Sequence, residues 1–255
     1  MRTFSIAFVL LFVSMGFSYA QLTESDTLRF GYRLNINGSW ITGNVERLLV
    51  NTNLELSHVG KTIGLKSGTS YVYGTIFNTE TEDDIFSRNF IYLYPRARFY
   101  PYAMLWVQNS KRQRIKFRYQ AGLGATYGVI QSVEHVLKIS ATITHEETRY
   151  DGTDFTVEPE NLDTDNVTTW RGTLRLLGDH HVAGNRLRLH YETWYQPAFG
   201  DRNNWRYYLN AALDIPFAKH FSFRTAILYT HEQIVLTQIK RDDKILTFGL
   251  NWSNF

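Results

Sequence analysis

The stretch Lys116-Phe117-Arg118-Tyr119-Gln120-Ala121-Gly122-Leu123-Gly124-Ala125-Thr126-Tyr127 decides how the rest of the chain is read. Phe117, Tyr119, Ala121, Leu123, Ala125 and Tyr127 take one phase of a two-residue period, and Lys116, Arg118, Gln120, Gly122, Gly124 and Thr126 take the other. Successive side chains of a strand point to opposite faces, so the pattern is a strand with one apolar and one polar face. Its length exceeds the roughly five or six residues typical of soluble strands and suits the roughly 9 to 11 that cross a bilayer when tilted.

The alternation recurs along the chain. Phe30, Tyr32, Leu34, Ile36 and Trp40 oppose Arg29, Arg33, Asn35, Asn37 and Ser39, and Leu137, Ile139, Ala141 and Ile143 oppose Lys138, Ser140, Thr142 and Thr144. Leu187, Leu189 and Tyr191 oppose Arg186, Arg188, His190 and Glu192, and Trp205, Tyr207, Leu209, Ala211, Leu213 and Ile215 oppose Arg206, Tyr208, Asn210 and Asp214. A soluble sandwich alternates as well, with its apolar face inward. Strand length and the aromatic residues near the ends of the apolar faces favour the membrane, where such residues form interfacial girdles.

The pattern predicts an all-β chain, a closed antiparallel transmembrane β-barrel of about twelve strands, with 10 to 14 as the range. The strands fall near residues 28–42, 44–58, 63–77, 84–94, 98–109, 115–129, 135–149, 167–178, 181–195, 204–215, 220–232 and 243–254. The fourth and fifth are the least regular, being apolar on both faces around Pro95 and Pro101. Bacterial barrels have short periplasmic turns and longer outer loops. Val59–Thr62, Pro95–Ala97, Ile130–Glu134, Gly178–His180 and Pro216–Lys219 read as the short set. Asn78–Asp83, Asp151–Asn166, Gln196–Asn203 and Gln233–Asp242 read as the longer set, with Thr42-Gly43-Asn44 a tight exception.

Composition narrows the class further. Aromatic residues make up 15% of the chain, with 16 Tyr and 17 Phe, while the hydrophobic fraction is only 44%. No cysteine occurs, which excludes disulfides, thiolate metal sites and a lipoprotein anchor. The net charge of +3 is too balanced for a nucleic-acid binder. Arg2, the apolar run Phe4–Val13 and Ser18-Tyr19-Ala20 have the order of a secretory signal peptide over residues 1–20. The barrel is then expected over 21–255, exported to the bacterial outer membrane. The chain ends on an alternating strand, Leu246, Phe248, Leu250 and Trp252, with Phe255 out of phase. That ending resembles the C-terminal signal read by the barrel assembly machinery.

Gly38-Ser39-Trp40-Ile41-Thr42-Gly43-Asn44-Val45-Glu46, then Phe99-Tyr100-Pro101-Tyr102-Ala103, then Arg118-Tyr119-Gln120-Ala121-Gly122-Leu123-Gly124, occur in an order that resembles the salt-induced outer-membrane protein family. The resemblance covers most of the chain after residue 20. It implies a β-barrel in the outer membrane of Gram-negative bacteria, with no established activity and no functional residues to carry over.

The polar phase itself is chemically uneven. Arg29, Arg33, Lys66, Lys116, Arg118, Lys138, Arg171, Arg175, Arg186, Arg188, Arg206 and Arg224 all fall on it, opposed by Glu55, Glu146, Glu192, Asp214 and Glu232. A basic excess inside a water-filled barrel favours anions. Equally, a barrel of this size has a modest interior, and Arg188, Trp194 and Tyr208 are bulky enough to obstruct it. An open and an occluded lumen therefore both stand.

Other groups invite chemistry less strongly. His220-Phe221-Ser222 is the one His-x-Ser sequence, and it falls at a short-turn end, away from outer-leaflet lipid. His180 and His181 are adjacent, so they point to opposite faces and do not share a metal. His145-Glu146 and His231-Glu232 sit where interfacial anchoring is expected. The acidic segments Asp151–Asn166 and Asn78–Asp84 lack the spacing of a Ca²⁺ loop. The sequence thus points to a non-enzymatic outer-membrane barrel, a narrow passive pore for small solutes or an envelope-stress structural protein. An enzyme acting on outer-membrane lipid or lipopolysaccharide is the alternative. No metal, cofactor or nucleic acid is expected; the expected partners are outer-membrane lipid, lipopolysaccharide and, during biogenesis, the assembly machinery.

Overall fold

Alternating residues of the kind just described pair side by side into one antiparallel sheet. A computed structural model describes residues 30–252 apart from 133, 185, 219 and 220, and the side chains of 31–37, 51, 53, 55, 221, 245 and 247–252 are outside that description. The strands are β1 (Phe30–Ile41), β2 (Arg47–Val59), β3 (Ile63–Ile76), β4 (Thr79–Leu93), β5 (Phe99–Ser110), β6 (Ile115–Gln131) and β7 (His135–Tyr150). They continue as β8 (Leu162–Asp163), β9 (Asn166–Val182), β10 (Leu187–Pro197), β11 (Trp205–Ala218), β12 (Phe221–Glu232) and β13 (Asp242–Trp252). Each long strand pairs with its neighbour in sequence, and the two-residue β8 pairs β9 within the loop that follows β7. Each of the twelve long strands overlaps one that the alternation predicts, with shifted ends at β4, β9 and β10.

The sheet rolls up, as side chains far apart in strand order show by meeting. Arg118 of β6 reaches Glu232 of β12, Arg88 of β4 reaches Glu192 of β10, and Trp106 of β5 touches Trp194 of β10. Burial is inverted relative to a soluble protein. Leu123, Leu174 and Ile143 are 71%, 61% and 56% exposed on the outer face, while Arg171, Glu146 and Glu192 are 1%, 1% and 2% exposed within. A surface of that kind is stable against hydrocarbon, and closure of a barrel satisfies the backbone there.

Inside, Phe90, Tyr92, Tyr100 and Tyr102 pack with Met104 toward the end of the barrel that carries the 94–98 turn. Gly124 lies opposite Tyr102, and a Cβ there would fall 2.8 Å from its ring. The glycine is what lets the ring lie flat across the wall. At the other end Ile115, Tyr150, Val167 and Leu236 form a second apolar cluster, with Phe155, Leu162 and Ile239 against it. Here the loops 151–165 and 233–241 join: Thr156 N donates to Val235 O at 2.9 Å, and Thr237 N donates to Asp154 O at 2.8 Å. Ile234, Val235 and Leu236 are buried, so the loop after β12 folds into the mouth as an apolar cap.

Three expectations need correction. Asn78–Asp83 is not a loop, because β4 begins at Thr79 after a two-residue turn with Phe77 and Asn78 at φ 47° and 59°. Two positive φ values give the tight hairpin turn whose twist suits paired strands, and the polar run beyond it simply continues the strand. Gly178–His180 is not a turn either: β9 runs on to Val182, and Ala183 and Gly184 follow it at positive φ before β10 begins at Leu187. Long connections at the mouth are thus 151–165, 198–204 and 233–241, the others there being short. Third, the phase at Lys116 is broken by a register shift between Ile115 and Phe117. Lys116 is turned outward, where it pairs with Asp165 at 3.3 Å.

Candidate functional site

The inward phase of β6, β7, β9, β11 and β12 delivers Arg118, Glu146, Arg171, Arg206 and Glu232 to one level of the lumen near the capped mouth. Each is held by charge-assisted hydrogen bonds, which are the stronger kind. Arg206 Nη2 donates to Glu146 Oε1 at 2.8 Å and its Nε donates to Glu232 Oε1 at 3.0 Å. Arg171 Nε lies 3.1 Å from Glu146 Oε2, and its Nη2 donates to Asn204 Oδ1 at 2.6 Å. Arg118 spans Glu232, Thr148, Gln108 and the Tyr150 hydroxyl. Gln120 and Thr148 add donors to Glu146 at 2.7 and 3.2 Å.

Beside this level, Glu192 accepts from Arg175 Nε at 2.8 Å and Arg88 Nη1 at 3.4 Å. Trp194 stacks on Tyr208 with centroids 5.2 Å apart and planes 4° off parallel. Trp106 meets Trp194 edge-on at 5.8 Å and Phe86 edge-on at 4.9 Å. Nearer the short-turn end, Arg188 donates to Asp179 at 3.1 and 2.9 Å. His190 bridges Asp179 at 3.0 Å and Asp214 at 3.2 Å, and Arg224 lies 3.4 Å from Asp214.

Between the β3–β5 wall and the ion-paired wall is a cavity of about 280 Å³. Arg88, Trp106, Gln108, Arg118, Trp194, Arg206, Tyr208 and Glu232 line it, and Ile234, Val235 and Ile239 of the cap lie over it. The cavity is a place in the described lumen where a small molecule fits.

Most of the basic residues expected in the lumen are there. Arg118, Arg171, Arg175 and Arg206 are buried with Glu192, and Arg188 and Arg224 face Asp179 and Asp214. Lys66 and Lys138 are buried too, with Lys138 Nζ 3.2 Å from the Tyr100 hydroxyl. Arg186 is the correction: it sits exposed in the turn after β9, because that strand ends four residues later than its glycine and aspartate imply. Arg29, His220 and Phe255 lie outside the described residues, as does the 1–20 leader, and the Arg33 and Glu55 side chains are likewise outside. Ser222 is buried on the inner phase of β12.

Sequence reasoning missed Arg88 and Asp179 as lumen charges, and it placed His190 on the polar phase without counting it among them. Asp179 was hidden by the false turn. Arg88 was hidden in a stretch apolar on both faces, although exposed Ile85, Ile91 and Leu93 mark the outward phase of β4 and put position 88 inside. The His-Glu pairs divide between faces: His145 lies against Trp170 at 5.1 Å and His231 stacks on Trp205 at 4.3 Å, while Glu146 and Glu232 meet the lumen arginines.

Apolar outside and ion-paired inside, the chain is by its fold a transmembrane β-barrel. It belongs to the family described as protein of unknown function, DUF481, whose profile matches residues 21–253. No curated protein matches it by sequence. Among solved structures it is similar to the NanC porin, at 12% identity and a TM-score of 0.50, covering 87% of this chain and 100% of that one. It is also similar to the β domain of the Bordetella autotransporter BrkA, at 11% identity and a TM-score of 0.44 over 88% and 98% of the two chains. A FadL homologue of Pseudomonas aeruginosa matches at 11% identity and a TM-score of 0.38, over 88% and 72%.

Proposed function

We propose that this barrel resides in the bacterial outer membrane as a non-enzymatic, narrow passage for small polar solutes, with the capped mouth facing outward. The observation that carries the reading is the cavity of about 280 Å³ between polar walls inside a barrel whose outer face is apolar. A purely structural barrel has no need of a chamber lined by guanidinium and indole groups. The likeness of fold to a porin supports the same reading. Ser222, buried on the lumen side, is turned away from lipid, which supports a non-enzymatic role. Lipid and lipopolysaccharide would then meet the apolar outer face, including Leu123, Leu174 and Trp170, and the assembly machinery would act during insertion.

Passage is tested in planar bilayers with purified protein whose folded state is established by heat-modifiable migration on gels. Small unitary conductance steps are expected, in keeping with the contacts that cross the lumen. Folded protein that gives no steps at any voltage overturns the passage. The resemblance to the salt-induced family adds that abundance should rise when external salt is raised. Constant abundance across salt would remove the envelope-stress element and leave the passage.

A further inference from the structure

We infer that the chamber under the cap is a binding site for a small organic oxyanion with a flat face. The inference deepens the passage reading, on which it rests for how the solute arrives, by naming the solute class. Its first support is charge. At the cluster by the mouth, three guanidiniums, Arg118, Arg171 and Arg206, are matched by two carboxylates, Glu146 and Glu232. The further partners of these five are neutral: Thr148, Gln108, Gln120, Tyr150 and Asn204. One positive charge is therefore left over, in a place where all three arginines are nearly fully buried. Holding charge away from water is expensive unless an opposite charge accompanies it. Arg118 and Arg206 both face the chamber, so an anion seated there would complete the cluster.

The second support is the wall beside those arginines. The Trp194–Tyr208 stack and the edge-on Trp106 make an aromatic plate against which a ring or another flat apolar surface can lie. Trp106 Nε1 is buried without a hydrogen-bond partner, although its residue lines the chamber. An indole N–H can only donate, so it too calls for an acceptor. A flat molecule bearing an oxyanion satisfies all three features, with its charge toward Arg118 and Arg206, its face on the plate and an acceptor oxygen toward Trp106. The volume of about 280 Å³, just below the roughly 300–1,000 Å³ of small-molecule pockets, restricts it to a small one.

Benzoate is the probe, with benzyl alcohol as its neutral counterpart and acetate as an anion lacking the flat face. Calorimetric titration of folded protein in detergent at neutral pH should show benzoate binding about tenfold or more tightly than either control. The decisive variant is Gln108→Glu. Gln108 already accepts from Arg118 at 3.2 Å, so a carboxylate there supplies the missing negative charge and keeps that contact, giving up only the donation from Gln108 Nε2 to Gln113 Oε1 at 2.7 Å. Affinity for benzoate should fall about tenfold or more while heat-modifiable migration is unchanged. Trp106→Phe keeps the plate and removes the donor, and should weaken benzoate by a few-fold, in line with one lost hydrogen bond. Absence of benzoate binding, equal binding of benzyl alcohol, or wild-type affinity in both variants overturns the site. The two readings fail separately: benzoate binding without conductance removes the passage alone, and conductance without benzoate binding removes the site alone.

Discussion

The two ends of the lumen use the same residue types in different ways. By the capped mouth, three arginines share two glutamates, and the side chains of Arg118, Arg171 and Arg206 are 5%, 1% and 7% exposed. Toward the short turns, Arg188 and Arg224 face Asp179 and Asp214 with His190 between the two carboxylates, and those arginine side chains keep 22% and 21% of their exposure. The first group is dry throughout; in the second Asp179, Asp214 and His190 are also buried, but the two arginines reach water. Removing one partner from a dry cluster leaves an uncompensated buried charge, whereas water takes over part of the work in a wet one. Identical chemistry is therefore expected to weigh differently at the two ends.

Glu146→Gln attacks the dry cluster at its centre, where four side chains converge on one carboxylate. It should lower stability by about 3–5 kcal/mol, measured as the urea midpoint of the folded, heat-modifiable band. Leu236→Ala opens the apolar cap that keeps that cluster dry. About 2–4 kcal/mol is expected from the loss of buried side chain and the cavity left behind, together with larger conductance steps in bilayers. Asp179→Asn makes the same kind of change as the first variant but where the partner Arg188 reaches water, and should cost only about 1–2 kcal/mol. A loss as large as that of Glu146→Gln would erase the contrast. Outside the lumen, Lys111→Ala deletes the exposed pair with Glu80 and should change the urea midpoint by no more than about 0.5 kcal/mol.

The wall was more legible in the sequence than the site. Alternation in segments such as 117–127 located the long strands, because a barrel repeats one simple rule, lipid outside and polar groups inside, at every second residue. Where local chemistry competes with that rule, reading failed. Gly178 and Asp179 have the composition of a turn but lie within β9, since pairing with β7 and β10 outweighs their local preference. Lys116 has the right parity but follows a register shift, and parity does not survive an inserted residue. Basic excess was visible by counting the polar phase. Its location was not, because pairs such as Arg118 with Glu232 and Arg88 with Glu192 join strands far apart in order that only the rolled sheet brings together.

The cap also bears on the order in which the molecule is assembled. Its two loops meet through hydrogen bonds from Thr156 to Val235 and from Thr237 to Asp154, residues 79 and 83 positions apart in the chain. Among the described residues the paired long strands of the wall are consecutive in the chain, so the wall can grow hairpin by hairpin, whereas contacts this distant form only once the intervening segments have been brought into place. The mouth is thus the last part of the barrel to close. A protease added outside should cut near Leu236 in newly inserted molecules and spare finished ones, which makes that loop a clock for maturation.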